Sequence, residues 1–225
     1  MDKIYNEIKI LSSFKSENIV KYYHSFIEKD NFNIFMEYCD SLDLKAFIDK
    51  HKKDNTYIEP DTLYLIVLNL CLGIKEIHNK NIIHRDLKPE NIFINKDNKI
   101  KIGDFGISKQ LNKEHYAKTF VGTCEYMAPE LLKGKEYTKK VDIWSLGTII
   151  YELCTLEYCY DCGENLAGLI NKICEGEHGK IDSKKYSSIL QKIIDSSLNK
   201  NYKERPNIEE ILEMVYKCME ENKNI

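Results

Sequence analysis

The 225-residue chain has no long uninterrupted apolar run. Leu63 to Ile77 comes nearest, but Asn69, Gly73, Lys75 and Glu76 break it, and it is too polar and too short to span a bilayer. No charge sign dominates. Lys and Arg number 33 against 36 Asp and Glu, and a net charge of −3 gives no basic field for nucleic acid or an anionic membrane. Met1 is followed by Asp2, Lys3 and a polar amphipathic stretch, which excludes the pattern of a secretory signal. There is no internal repeat and no long low-complexity segment. The eight cysteines (Cys39, Cys71, Cys124, Cys154, Cys159, Cys162, Cys174, Cys218) lie mostly in apolar or helical patterns. That placement predicts reduced thiols and a cytoplasmic or nuclear setting. Cys159-x-x-Cys162 lacks the second ligand pair of a zinc site and reads as a plain loop.

What the chain does have is an ordinary globular balance, 31% charged and 43% hydrophobic, in a length that suits one or two domains. It also has one dense stretch of chemistry, His84 to Asn91, written H-R-D-L-K-P-E-N, with Asp104-Phe105-Gly106 following at hairpin distance. Asp86 is a carboxylate able to accept a hydroxyl proton. Lys88 can neutralise a transferring phosphate. Asn91 and Asp104 offer hard oxygen ligands of the kind Mg²⁺ takes.

Around this stretch the periodicity alternates between helix and strand. Residues 2–14 carry Ile4, Ile8, Leu11 and Phe14 at helical spacing. Residues 19–27 and 32–38 are β-branched and aromatic, with a polar turn between them, and predict two strands. Asp43 precedes Leu44 to Lys50 as a candidate helix N-cap. Pro60 opens a helix whose apolar face is Leu63, Ile66, Val67, Leu70, Cys71, Ile74 and Ile77, wide enough to lie in a core. His78, near its end, reads as structural. Ile92 to Ile94 and Ile100 to Ile102 predict a hairpin that brings Asn91 and Asp104 together. A long connection without strong periodicity covers 107–127. Beyond it, Val141 to Cys154 is strongly apolar, so Asp142 there must be hydrogen-bonded. Helices follow near 164–175, 186–198 and 207–222.

H-R-D-L-K-P-E-N, D-F-G and G-T-C-E-Y-M-A-P-E (residues 122–130) resemble the signature motifs of eukaryotic protein kinases. The resemblance covers nearly all of 1–225. N-E-I-K-I-L-S-S, F-M-E-Y-C-D, K-T-F-V-G-T and D-I-W-S-L-G make the chain similar to the NIMA-related group of Ser/Thr kinases. The resemblance implies an α+β, protein-kinase-like fold: a small lobe part at 1–38, a hinge at 39–43 and a mainly helical large lobe at 44–225. It implies ATP and Mg²⁺ as cofactors and Ser or Thr of protein substrates as acceptors, with Thr123 and Lys88 fitting the Ser/Thr class. Asp86 and Lys88 become the catalytic pair, and Asn91 and Asp104 the Mg²⁺ ligands. Met36 becomes the gatekeeper. Glu37 and Cys39 offer backbone groups to adenine, and Asp43 reaches the ribose. Glu7 becomes the helix carboxylate that pairs with a strand lysine. Leu11, Tyr22, His84 and Phe105 stack between the lobes. Thr119 becomes the phosphorylated residue that pairs with Arg85, Asp142 holds the catalytic loop, and Arg205 pairs with Glu130. From the residues alone, Glu130 and Arg205 read equally well as surface charges. Ile107 after D-F-G hints at threonine acceptors. Cys124 replaces the commoner proline.

The sequence departs from the family pattern at its start. No G-x-G-x-x-G loop and no V-A-I-K lysine is present, so Glu7 lacks its expected partner and the small lobe is truncated. Three readings stay open on that basis: part of an active Ser/Thr kinase, a catalytically feeble interaction module, or an enzyme completed by an activating partner.

Overall fold

The computed structural model describes residue 8 and residues 11–29, 31–39, 42–94, 99–103, 124–161, 163 and 165–223. The aromatic and β-branched residues of Tyr22–Glu28 (β1) and Asn31–Met36 (β2) form an antiparallel pair, with Ser25 opposite Ile34 and Glu28 opposite Asn31. The first strand starts later than its sequence pattern, because Ile19 and Val20 are drawn elsewhere. Ile19 bridges Ile102, Val20 donates its N–H to the Ile102 carbonyl at 2.9 Å, and both side chains are buried. The second strand ends at Met36 rather than 38, although Glu37 still donates its N–H to Lys21 at 2.7 Å, so that end is soft.

A second sheet is antiparallel in the order β3 (Leu42–Asp43), β4 (Ile92–Ile94), β5 (Ile100–Ile102). The β4–β5 hairpin is the expected one, with Ile92 opposite Ile102. Strand β3 was not expected, since two residues are too few for alternation to register.

Asp43 ends β3 and caps α1 (Leu44–Lys53), its Oδ1 accepting the Ala46 N–H at 2.7 Å. Helix α2 (Pro60–Asn79) starts on proline, and all seven residues of its expected apolar face are buried. Gly73 lets other chain segments lie against it. A Cβ there would meet the Ile102 side chain at 2.7 Å and the Asn18 carbonyl at 3.0 Å. Asn18 fastens this junction, its Nδ2 donating to Asn69 at 2.8 Å and to the Ile100 carbonyl at 3.2 Å.

The short α3 (Pro129–Leu132) precedes α4 (Lys140–Thr155), which is buried nearly all round and forms the centre of the helical body. Helices α5 (Leu166–Glu175), α6 (Ser188–Ser197) and α7 (Ile208–Lys223) follow, close to the expected ranges. Asn165 and Ser187 cap α5 and α6 through their side chains, which sets where those helices begin. Helix α7 packs along α2, and α6 packs on α4. Trp144 is fully buried in α4, stacked on Tyr160 at 5.9 Å, with Lys200 and Arg205 cations over its ring at 5.0 and 4.9 Å.

The fold is thus α+β, with one continuous core that includes Phe14 and Ile19 and runs on from Leu44 to Cys218. The β1–β2 sheet is different in kind. Tyr23, Phe26, Ile27, Phe35 and Met36 are all exposed. Among the described residues no helix is long and apolar enough to cross a membrane.

Candidate active site

The loop between α2 and β4 is shaped from behind by α4. Arg85 sits at φ 69°, a left-handed conformation that a side-chain-bearing residue adopts at some cost. Asp142 holds it there. Its Oδ1 accepts the Arg85 N–H at 2.9 Å and its Oδ2 accepts the His84 N–H at 2.9 Å. The same Oδ2 accepts Nε2–H of His78 at 2.8 Å. Three donors on a carboxylate that is 1% exposed offset its loss of water. His78 therefore has the structural place read for it, on the loop's anchor.

His84 ties the loop to the hairpin. Its Nε2 lies 3.1 Å from the Gly103 carbonyl, which can only accept. Its Nδ1 lies 3.3 Å from the Asp86 N–H, which can only donate. These partners fix the neutral tautomer with the proton on Nε2.

Asp86 and Asn91 are both buried and face each other. The Asn91 Nδ2 donates to the Asp86 carbonyl at 2.8 Å and to Asp86 Oδ2 at 3.1 Å. With its nitrogen turned to Asp86, the Asn91 amide presents its oxygen on the opposite side. That is the hard donor a Mg²⁺ site needs, so this residue fits the ion. Lys88 brings Nζ to 3.9 Å from Asp86 Oδ2, placing a cation beside the carboxylate. Gly103 donates its N–H to the Asn91 carbonyl at 2.9 Å, which ties the end of β5 to this cluster. Asp104 is the next residue and lies outside the described residues, as do Glu7, Phe105, Ile107, Thr119, Thr123 and Cys162.

The remaining expected residues are more dispersed. Met36 is exposed at the end of β2. The Glu37 N–H is committed to Lys21, so its carbonyl is the backbone group left to carry the adenine role. The Glu37 side chain turns to Lys101 Nζ at 3.0 Å and accepts the Lys21 N–H at 3.1 Å. Cys39 is half-buried. Asp43 uses one carboxylate oxygen as the α1 cap. Arg85 stacks its guanidinium on Tyr137 at 5.3 Å. Arg205 and Glu130 are buried, not surface charges, and meet in a two-pronged pair at 2.7 and 2.8 Å. Arg205 also donates to the Asn199 carbonyl at 2.8 Å and the Lys140 carbonyl at 2.9 Å.

One group near the loop escaped the sequence reading. Glu152 is a buried carboxylate in α4 that accepts the Tyr126 O–H at 2.6 Å and pairs with Lys45 Nζ at 3.0 Å. Burial raises the Glu152 carboxyl above its usual range, against the Tyr126 and Lys45 bonds that lower it. Burial and the neighbouring Glu152 raise the Tyr126 phenol too. An acid inside an apolar helix was the available signal, the same one that marked Asp142.

Comparison with known sequences places this geometry. The family model described as protein kinase domain matches residues 1–217. The probable serine/threonine-protein kinase nek2 of Dictyostelium discoideum is 40% identical over 212 residues, which is 92% of this chain and 50% of that protein. Human serine/threonine-protein kinase Nek2 is 39% identical over 218 residues, 92% of this chain and 48% of its own length. Human serine/threonine-protein kinase Nek11 is 39% identical over 211 residues, 93% of this chain and 32% of its own. The chain thus spans half or less of the length of these relatives. It belongs to the protein kinase domain family, and the relatives it resembles are NIMA-related kinases.

Proposed function

We propose that this chain carries the phosphotransfer site of a protein serine/threonine kinase, moving the γ-phosphoryl group of ATP to Ser or Thr hydroxyls of protein substrates. The observation that carries this is the Asp86–Asn91–Lys88 cluster, held by Asp142 through two backbone N–H groups. Mg²⁺, with Asn91 and Asp104 as its ligands, would neutralise phosphate charge.

The rest is work for this chain's own side chains. Asp86 orients the acceptor hydroxyl and takes its proton late in the transfer. The Asn91 amide fixes the Asp86 carboxylate so that it need not reorganise. Lys88 offsets charge on the moving phosphoryl group. Positioning and electrostatics supply most of the acceleration in such a reaction. In the same reading the Glu37 carbonyl and the Cys39 backbone would serve adenine, and the Asp43 carboxylate the ribose hydroxyls.

The test is phosphate transfer from Mg²⁺-ATP to a set of Ser and Thr peptides by the purified protein. Asp86→Asn should lower kcat by at least about a hundredfold with the fold intact. An active protein whose rate survives Asp86→Asn would overturn the assignment, as would inactivity in every relative-length form of the protein.

A further inference from the structure

Four elements meet beside the catalytic loop. Helix α1 packs against the Pro89–Asn91 turn, and α4 packs against the Cys124–Tyr126 turn. The Ser145 hydroxyl fastens the second turn by donating to the Tyr126 carbonyl at 2.8 Å. Lys45 projects from the first turn of α1 into this junction. Its Nζ lies 3.0 Å from Glu152 Oε1, 3.2 Å from Asp49 Oδ1 and 4.6 Å from the centre of the Tyr158 ring. Two carboxylates and an aromatic face are what a receptor for an ammonium or guanidinium group consists of.

The occupant here is part of the chain. Glu152 and Tyr126 are buried, while the Lys45 side chain is 23% exposed, so Lys45 is the rim of the cluster. Glu90 lies beside it, exposed, on the turn directly after Lys88 and Pro89. No described residue pairs with Glu90, and its charge reaches both Glu152 and Tyr126. Burial works against the Lys45 ammonium, but Glu152, Asp49 and Tyr158 together hold it above the ordinary lysine range.

We infer that Lys45 is a specificity-determining residue: its ammonium fills an acidic subsite made by Glu152 and Asp49 beside the catalytic loop and excludes basic side chains of the protein substrate from it. This rests on the kinase reading above. Lys45 is tethered to the subsite, so its effective concentration exceeds that of any residue on a diffusing peptide. The two carboxylates inside the subsite are thus already used, and peptides with Arg or Lys near the acceptor gain nothing from them. Once Lys45 is removed, Glu152 keeps the Tyr126 bond but loses its cation. A buried carboxylate in that state takes up a proton or a replacement cation, so a peptide guanidinium competes with the proton for it.

The experiment compares the protein as it stands with Lys45→Ala, Lys45→Met, Lys45→Arg and the double variant Lys45→Ala/Glu152→Gln. Each is given acceptor peptides in which Arg, Ala or Glu is stepped through the positions flanking the Ser or Thr. Lys45→Ala and Lys45→Met should raise kcat/KM for Arg over Ala at one flanking position by about tenfold, through KM. The unsubstituted protein and Lys45→Arg should show no such preference, and the double variant should lose it. An unchanged Arg-to-Ala ratio in both single variants would overturn the inference, as would a gain that survives in the double variant. A merely structural Lys45 would lower the melting temperature and leave the ratio flat. Lys45→Met keeps the apolar stem and guards against misfolding of the alanine variant. The same labelled peptides are titrated by fluorescence anisotropy without nucleotide. If no form transfers phosphate, the kinase reading fails by itself, and tighter binding of Arg peptides to Lys45→Met than to the unsubstituted protein still sustains the subsite; equal binding sinks it.

Discussion

Asp142 is worth more as an acceptor than as a charge. It receives two backbone N–H groups of the loop and the His78 ring, so an isosteric amide loses one acceptor and turns an N–H toward another. Asp142→Asn should cost about 1–3 kcal/mol in urea unfolding and lower kcat further than that stability loss accounts for, because Arg85 at φ 69° loses its restraint. Glu130 and Arg205 make the complementary case. Removing one partner strands a buried charge, so Arg205→Leu should cost about 3–5 kcal/mol in the same assay. Glu130→Leu combined with Arg205→Leu should cost clearly less than the sum of the two singles. Glu37 sets a pH dependence. Burial raises its carboxyl, but the Lys101 ammonium and the Lys21 N–H outweigh that and hold it below its usual 4.5. A folded value below the unfolded one adds stability that is present above the ordinary carboxylate range and lost as pH falls through the folded value. Glu37→Gln should therefore flatten the acid limb of the stability curve below about pH 4.5, by no more than roughly 1 kcal/mol for so accessible a pair. At this scale the sequence was legible where a charge stood in apolar surroundings, which exposed Asp142. Glu152 carried the same mark in the same helix, but no motif drew attention to it. The Glu130–Arg205 pair joins residues far apart in the chain, so no local pattern could decide between burial and solvent.

At the scale of elements, the helices were legible because their apolar faces repeat. The α2 face from Leu63 to Ile77 is buried as its spacing requires, and α4 is apolar on every side because it is enclosed on every side. Strand ends were less legible. Ile19 and Val20 have strand composition, yet they serve Ile102 in a different sheet, a choice made by tertiary packing rather than by propensity. Packing between α4 and α6 gives the sharpest test of this level. A Cβ on Gly147 would lie 2.8 Å from Ser197 Cβ and 3.1 Å from Leu198 Cδ2. Gly147→Ala gains helix propensity in α4 but forces the two helices apart. The overpacking should win, with a net loss of about 1–3 kcal/mol in chemical denaturation. A neutral or stabilised Gly147→Ala would show that α6 gives way more easily than its burial suggests.

Across the whole molecule, burial is uneven, and stability should be uneven with it. The helical body shares one core from Leu44 to Cys218, joined by Phe14 and Ile19 from the segment before β1, whereas β1 and β2 pair chiefly with each other and expose Tyr23, Phe26, Ile27, Phe35 and Met36. Ordering two strands with so little apolar burial leaves a small net gain after the entropy cost. These strands should therefore open locally while the body stays folded. The protein's single tryptophan makes this measurable. Trp144 is buried in α4 against Tyr160, so its fluorescence reports the body alone. In native-state hydrogen exchange, amides of β1 and β2 should exchange at least roughly a hundredfold faster than those of α4. Their opening free energy should barely change with low urea, while that of α4 should fall with the slope of the Trp144 transition. Equal protection in the two regions, or a β1–β2 slope matching that of α4, would mean the sheet unfolds only with the body. Asn18, Ile19 and Val20, which bind the stem of β1 to Ile100, Ile102 and Asn69, would then be sufficient to make the molecule one cooperative unit.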